Sequence, residues 1–352
     1  MKQKKLVVIS HAYILPMYQK KIEEMALFEE FEITLITPTK SIEGGGQDMS
    51  VSPYDGELFE HVVLPAWLDG RPNSYRLKKL EEVLGELSPD IILLEEEYWT
   101  NIAHQVVQIR KSRLPNTKLV LLSCENICHA WEKEGKGLYQ KMRFGVFHKV
   151  EKTVVPELDG LIFQFESVWK SFHERMHLLG FDGLKGAFPQ LGVDPDYFLD
   201  VDADKVLAVK QEHELVTIED NTIKRSFVYG YIGRIIRDKG VEDLLRAFVE
   251  MYIPGMKLML VGNGDEEYIA RLKRFAKANG VGEHVVFVPA VPLEDIPVYL
   301  NSMDVMLLLS HTTPEWKEQF GRVLVEAMAA GTVVIGSNSG AIPSVIKNAG
   351  VI

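Results

Sequence analysis

Two acidic and two basic residues in the second half of the chain stand where their types and spacing suit chemistry. Glu318 and Glu326 bracket the E-x7-E of EQFGRVLVEAMAAG, Glu318 to Gly331. Around Glu326 the side chains are apolar: Val323, Leu324, Val325, Ala327, Met328 and Ala329. A carboxylate in such company is destabilising by roughly several kcal/mol unless it is paired. Its partner is expected from elsewhere in the fold or from a ligand, and the two hydroxyls of a ribose match its two oxygens. The competing reading satisfies it with backbone N–H groups or with Arg322 swinging round. Gly321 opens the helix, so the amides near Phe320 to Val323 lack helical acceptors and form an anion site.

Upstream, GRIIRDKG (Gly233 to Gly240) follows an apolar run. Gly233 permits a tight turn. Arg234 offers a guanidinium fork and Lys239 a point charge, a pair that suits a diphosphate. The plain alternative is ordinary loop charge. A third turn, GNGDEE (Gly262 to Glu267), has the opening glycines of a dinucleotide loop but no third glycine. Asp265, Glu266 and Glu267 suit the start of a helix and would repel a pyrophosphate. A tight turn with an acidic cap accounts for it, while Asn263 and Gly264 remain candidate donor contacts. Diphosphate cations, a helix amino end, a ribose-binding acid and a second acid one loop away together describe a nucleotide-sugar site.

Elements must hold these turns in place. Short β-branched runs (Lys4 to Ser10, FEITLIT, ELFEHVVLP, DIILLEEE, TKLVLLS, DGLIFQF) alternate with helical stretches at Tyr18 to Glu29, Tyr75 to Leu87, Thr100 to Ser112 and a long region ending near Val154. Asp200 to Arg225, charged and poorly periodic, reads as an inter-domain connection. The alternation resumes at SFVYGYIG. Helices are expected over Gly240 to Met251, Glu266 to Ala278, Leu293 to Ser302 and Arg322 to Ala330, with strands KLMLVG, HVVFVP, DVMLLL and TVVIG between and after them. Such alternation means a mostly parallel sheet covered on both faces. Two α/β domains are expected, 1–192 and 193–352, with ligands at the carboxyl ends of the strands.

The bulk numbers narrow the classes. A hydrophobic share of 46% with 25% charged residues fits a globular protein. A net charge of −11 argues against nucleic acid as the main partner. No apolar run reaches the ~18–20 residues of a membrane span, and no leader precedes Leu6, so a cytoplasmic protein is expected, or one touching a membrane only at its surface. Cys124 and Cys128 read as two thiols beside a core strand rather than as metal ligands. No Asp-x-Asp metal motif accompanies the donor turns. The segment 133–152 is locally basic. Lys133, Lys136, Lys141, Arg143, Lys149 and Lys152 alternate with Leu138, Tyr139, Met142, Phe144 and Phe147. It reads either as a core-packing helix with solvated lysines or as peripheral contact with an anionic membrane.

E-x-F-G-x-x-x-x-E, G-R-x-x-x-x-K-G, GNGD and P-x-L-G-V-D-x-x-x-F (Pro189 to Phe198) resemble the retaining GT-B glycosyltransferases of family 4, the glycosyl transferases group 1. TPEWKEQFGRVLVEAMAAG and SHAYILPMYQKKIEEMA resemble a bacterial subgroup. The resemblance implies an α/β GT-B fold: two Rossmann-like doubly wound domains facing a cleft, the first binding acceptor and the second the donor. It implies metal-independent transfer with retention from a UDP- or GDP-type sugar to a glycan, lipid-linked or small-molecule acceptor, with no cofactor. Bacterial polysaccharide biosynthesis at the inner face of the membrane is the implied setting. Gly233, Asn263, Gly264, Phe320, Gly321, Arg322 and Glu326 would contact the donor. On the acceptor side the candidates are His11, Glu125, Asn126 and His129. Many relatives have a histidine where SCENI places Glu125. Relatives also continue past AGVI with further helices, so the end is expected to be incomplete. That motivates the alternative of a sugar-nucleotide-binding fragment with weak turnover. An NAD-dependent enzyme is disfavoured by the missing G-x-G-x-x-G.

Overall fold

The computed structural model describes residues 3–43, 47–71, 73–131, 137–189, 191–219 and 222–352. The chain divides into two compact units, Met1–Leu191 and Gly192–Ile352. Each is a parallel sheet with helices on both faces.

The first unit is built on β1 (Lys4–Ile9), β2 (Phe31–Pro38), β3 (Glu60–Leu64), β4 (Ile91–Leu94), β5 (Lys118–Ser123), β6 (Gly160–Phe163) and β7 (Leu184–Ala187). Their spatial order is β7-β6-β5-β4-β1-β2-β3, all parallel. β1 is central, pairing Leu6 with Ile33 on one side and with Ile91 on the other. Its last four residues are buried, as a strand covered on both faces requires. The covering helices are α1 (Pro16–Ala26), α2 (Leu80–Leu87), α3 (Asn101–Arg113), α4 (Leu138–Val154) and α5 (Glu166–Leu178). Pro16 starts α1, where its missing N–H is no loss. Thr100 caps α3 by accepting from the amide of Ala103.

The second unit carries β8 (Phe227–Ile232), β9 (Met256–Val261), β10 (Val285–Val288), β11 (Val305–Leu308) and β12 (Val333–Gly336), ordered β10-β9-β8-β11-β12 and all parallel. Its helices include α6 (Ala203–Glu212), α7 (Val241–Met251), α8 (Glu266–Ala278), α9 (Ile296–Leu300) and α10 (Arg322–Ala329), with further five-residue helical segments at Pro195–Leu199 and Ile342–Ile346. α7 buries Val241, Leu244, Leu245 and Phe248, the i, i+3, i+4, i+7 stripe of an amphipathic helix.

Three expectations need correction. Residues 200–225 are not a bare connection: they hold α6 and an antiparallel hairpin, Val216–Glu219 against Thr222–Arg225. α6 buries no residue, so its sequence carries no apolar period to read. The helix expected from Tyr75 begins only at Leu80. Before it, Arg76–Leu77 pairs with Ala66–Trp67, and Lys79 takes a left-handed φ of 59°. The stretch Leu293 to Ser302 is a single 3-10 turn, Leu293–Asp295, followed by the short α9.

Candidate active site

In the second unit the chain leaves β8 toward β9 and β10, then returns to place β11 and β12 on the other side. The sheet's topological switch point therefore lies between β8 and β11, and a crevice at that place is where open α/β sheets bind ligands. The turns after these two strands are Gly233–Gly240 and 309–321, the two that carry the proposed chemistry. Backbone joins them. The amide of His311 donates to the carbonyl of Asp238 at 2.8 Å. Gly240 has a φ of 68°, and a Cβ there would stand 1.9 Å from the carbonyl oxygen of Leu309.

Lys239 ends a 3-10 turn, Arg237–Lys239. Its ammonium donates to Oε2 of Glu318 at 2.6 Å and lies 5.1 Å from the ring centre of Trp316. Ser310 donates to the same oxygen at 2.6 Å. Glu318 is buried at 6% exposure, so its charge is paired and hydrogen-bonded rather than solvated. Its backbone is held from β12's side: its carbonyl accepts from the amide of Ala341 at 3.0 Å, and a Cβ on Gly340 would come within 1.9 Å of that oxygen. Arg234 is exposed, while its carbonyl accepts from the Tyr231 hydroxyl at 2.6 Å. One turn thus fixes its backbone through a buried tyrosine and leaves the guanidinium reachable.

Glu326 is buried on α10, as its apolar neighbours imply, and its partner within the fold is Arg322, the competing candidate. Nε of Arg322, four residues earlier, lies 2.8 Å from Oε1 of Glu326. The i,i+4 spacing places both on one face. Burial raises the Glu326 carboxyl above its usual range, and the Arg322 charge opposes that shift. Gly321 precedes the helix with a φ of 81°, and Phe320 is buried beside it. Tyr197, on the helical turn Pro195–Leu199 that packs on α10, also feels the charge of Glu326.

Asn263 and Gly264 lie in the turn that follows the neighbouring strand β9. The Asn263 carbonyl accepts from the amide of Ile235 at 2.8 Å, and its Oδ1 accepts from the amide of Ala290 at 3.0 Å. A Cβ on Gly262 would lie 1.9 Å from the carbonyl oxygen of Gly233. These residues lock two strand ends together. Asp265 caps α8 through the amide of Tyr268 at 2.7 Å, the acidic cap its sequence suggests.

The first unit has its own switch point, between β1 and β4, and there the sequence reading overlooked the main residues. EEE, Glu95–Glu97, follows β4 and looked like a strand tail. All three carboxylates turn inward onto separate partners. Oε1 of Glu96 accepts from the amide of His11 and meets its Nδ1, both at 2.7 Å, and accepts from the Tyr75 hydroxyl at 2.8 Å. Glu95 accepts from the Tyr13 hydroxyl at 2.6 Å and from the ammonium of Lys21 at 2.7 Å. Glu97 accepts from the Ser123 hydroxyl and from the amide of Cys124 at 2.9 Å. Burial, with Glu125 nearby, pushes the Glu97 carboxyl up to about 8. Glu125 in turn receives the amides of Asn126 and Ile127, each at 3.1 Å. His11 is thereby joined to Glu96, while Glu125 reaches Glu97 through Ser123, whose hydroxyl accepts from the Glu125 amide at 3.1 Å. His129 turns to another neighbour, stacking on Trp131 at 4.0 Å. Burial raises the Cys124 thiol above its ordinary value.

α4 resolves part of the 133–152 question; Lys133 and Lys136 lie outside the described residues. Phe144 and Phe147 face inward to Trp131, with ring centres 5.2 and 5.3 Å away. Leu138, Tyr139, Met142 and Val146 are exposed. The helix is core-packing on one face and apolar on its outer face as well. Among the described residues no group of three or more His, Cys, Asp or Glu could hold a metal ion, and no helix is long and apolar enough to cross a membrane.

Residues 217–351 match the family profile described as Glycosyl transferases group 1. A stretch of 119 residues is 34% identical to a GDP-mannose-dependent alpha-(1-6)-phosphatidylinositol monomannoside mannosyltransferase of Mycolicibacterium smegmatis, covering 33% of this chain and 31% of that protein. Another of 120 residues is 38% identical to the human GDP-Man:Man(3)GlcNAc(2)-PP-Dol alpha-1,2-mannosyltransferase, covering 31% of this chain and 23% of that protein. The matched stretch thus spans less than a third of the length of these curated relatives. Across nearly the whole chain the fold is similar to the Anabaena protein HepE in complex with UDP, at TM-score 0.60, 15% identity, and coverage of 96% of this chain and 81% of that one. An E. coli structure titled trehalose-6-phosphate, bound with UDP-2-fluoro glucose, gives TM-score 0.67 and 12% identity, covering 99% of this chain and 87% of that one. The fold is α/β of the GT-B class, with a Rossmann-like sheet in each unit.

Proposed function

We propose that this protein is a glycosyltransferase that takes a sugar from a nucleoside-diphosphate donor. The observation that carries the reading is the meeting of Lys239 and Glu318 at 2.6 Å across the β8/β11 switch point. A cation for the diphosphate and an acid for the sugar stand there within one contact, beside the amino end of α10. Arg234 and Lys239 grip the diphosphate and stabilise the charge that grows on it as the bond to the anomeric carbon breaks. Glu318 and the Phe320–Gly321 backbone hold the sugar. Glu326, with Arg322 as its resting counterion, takes the ribose hydroxyls. The acceptor oxygen bonds to the anomeric carbon from the face the phosphate leaves, and its proton passes to the departing phosphate oxygen. That is transfer with retention, and no step in it calls for a metal or a covalent intermediate on the protein.

The relatives named above use GDP-mannose, and HepE was crystallised with UDP. We take the donor to be a UDP- or GDP-sugar and the acceptor to be a glycan or a lipid-linked sugar bound by the first unit near His11 and Glu125. A setting in bacterial polysaccharide synthesis, at the cytoplasmic face of a membrane, accords with the apolar outer face of α4 and the basic residues around it. Thermal unfolding in the presence of UDP, GDP and their sugars tests the reading. A donor that binds only the folded protein raises Tm as its concentration exceeds Kd. If none of them shifts Tm, the reading fails.

A further inference from the structure

Ser310 follows β11, is 2% exposed, and donates its hydroxyl to the oxygen of Glu318 that also accepts from Lys239. One carboxylate oxygen can accept two such bonds. The two donors differ in how they are anchored. Lys239 reaches Glu318 along a flexible stem of four methylenes from a half-buried turn. Ser310 has a short side chain on a fixed backbone, and its carbonyl accepts from the Ser337 hydroxyl at 2.5 Å. A diphosphate carries more negative charge than one carboxylate, so it is the stronger competitor for the Lys239 ammonium.

We propose that Ser310 is a positioning residue for the donor's sugar: it keeps Glu318 in place while Lys239 passes from that carboxylate to the incoming diphosphate. This rests on the donor reading above. It has a second consequence. In the empty protein Glu318 competes with the diphosphate for Lys239, so the ion pair weakens binding of a bare nucleotide. The sugar restores the balance by occupying the carboxylate the lysine has left. Without Ser310 the carboxylate loses its short, fixed donor and is held less firmly as the lysine leaves, so sugar binding suffers while nucleotide binding does not.

The test is calorimetric titration of the full chain with UDP, GDP and the matching sugar nucleotides. Ser310→Ala is expected to bind the bare nucleotide within about twofold of wild type and the sugar nucleotide about tenfold more weakly, the scale of one hydrogen bond to a charged group. Ser310→Thr, which keeps the hydroxyl, should recover much of that loss. Glu318→Gln frees Lys239 and should bind the bare nucleotide several-fold more tightly than wild type. Equal loss of both ligands in Ser310→Ala, or loss of neither, overturns the proposal. Should Ser310→Ala fail to fold, Glu318→Gln decides it: unchanged or weaker binding of the bare nucleotide overturns it. Wild type that binds neither ligand refutes the donor reading itself, an outcome seen before any variant is made.

Discussion

Arg322 and Glu326 form an ion pair one turn apart on α10, with Nε 2.8 Å from Oε1. The carboxylate is 8% exposed at its side chain and the guanidinium 26%, so the arginine can leave more easily than the acid. Glu326→Ala should weaken donor binding by about tenfold, and Glu326→Gln should retain part of it. Arg322→Ala strands a buried charge and should lower stability by about 1–3 kcal/mol in urea unfolding. Donor affinity unchanged in Glu326→Ala would make the carboxylate purely structural.

Arg234→Ala and Lys239→Ala should each lower turnover by about 10²-fold or more, the usual effect of removing one charge-stabilising group. Glu318→Ala should depress kcat without weakening nucleoside-diphosphate binding. Steady-state kinetics beside titration separates the two, and a loss of nucleotide binding equal to the loss of kcat would remove Glu318 from the sugar.

Glu97 gives the fold a pH dependence with a definite sign. Its folded carboxyl is raised to about 8, above the unfolded value, so the native state holds more protons between these limits. Its share of stability is present below the unfolded pKa and is lost as pH rises toward 8. Glu97→Gln should stay neutral and gain on wild type across that window, by up to about 1.4 kcal/mol per pH unit. Denaturant midpoints at pH 5.5, 7 and 8.5 measure it. A constant difference between the two proteins contradicts the shift.

Under the proposed assignment Arg234 and Lys239 supply the charges that meet the diphosphate, so transfer should persist in EDTA. A strict need for Mn²⁺ or Mg²⁺ would refute that assignment.

The outer face of α4 exposes Leu138, Tyr139, Met142 and Val146 beside Lys141 and Arg143. The protein should co-sediment with anionic vesicles at low salt and be released at high salt. Charge reversal at Lys141 and Arg143 should reduce binding with no change in Tm. No sedimentation at low salt would leave α4 an ordinary surface helix and favour a soluble acceptor.

Strands that are buried on both faces announce themselves, so β1 and the runs that became β8 and β9 were legible from composition alone. α6 was not, because a helix that buries nothing leaves no stripe. Tyr75 was drawn into a helix by its neighbours' periodicity, although its hydroxyl is committed to Glu96. For Glu95 to Glu97 no local signal exists: a run of carboxylates looks solvated until distant residues such as Tyr13, Lys21 and Ser123 arrive to pair with it. The Arg322–Glu326 pair was legible as the competing reading, since the i,i+4 spacing puts both side chains on one face. The approach of Lys239 to Glu318 depends on β8 and β11 being neighbours, a matter of strand order that no motif encodes.

The loop after β11 touches other backbone with no side chain between, at Leu309 against Gly240 and at Glu318 against Gly340. Ordering a residue's backbone costs about 1–2 kcal/mol of entropy. At these two points that cost falls on folding rather than on association, so a ligand meets a rim already preorganised. The segment between the two contacts, from His311 to Lys317, is held by hydrogen bonds instead: the amide of His311 donates to the carbonyl of Asp238 at 2.8 Å and that of Thr313 to the carbonyl of Trp316 at 2.7 Å. A substitution along it that keeps those backbone bonds leaves the frame that presents Glu318 in place.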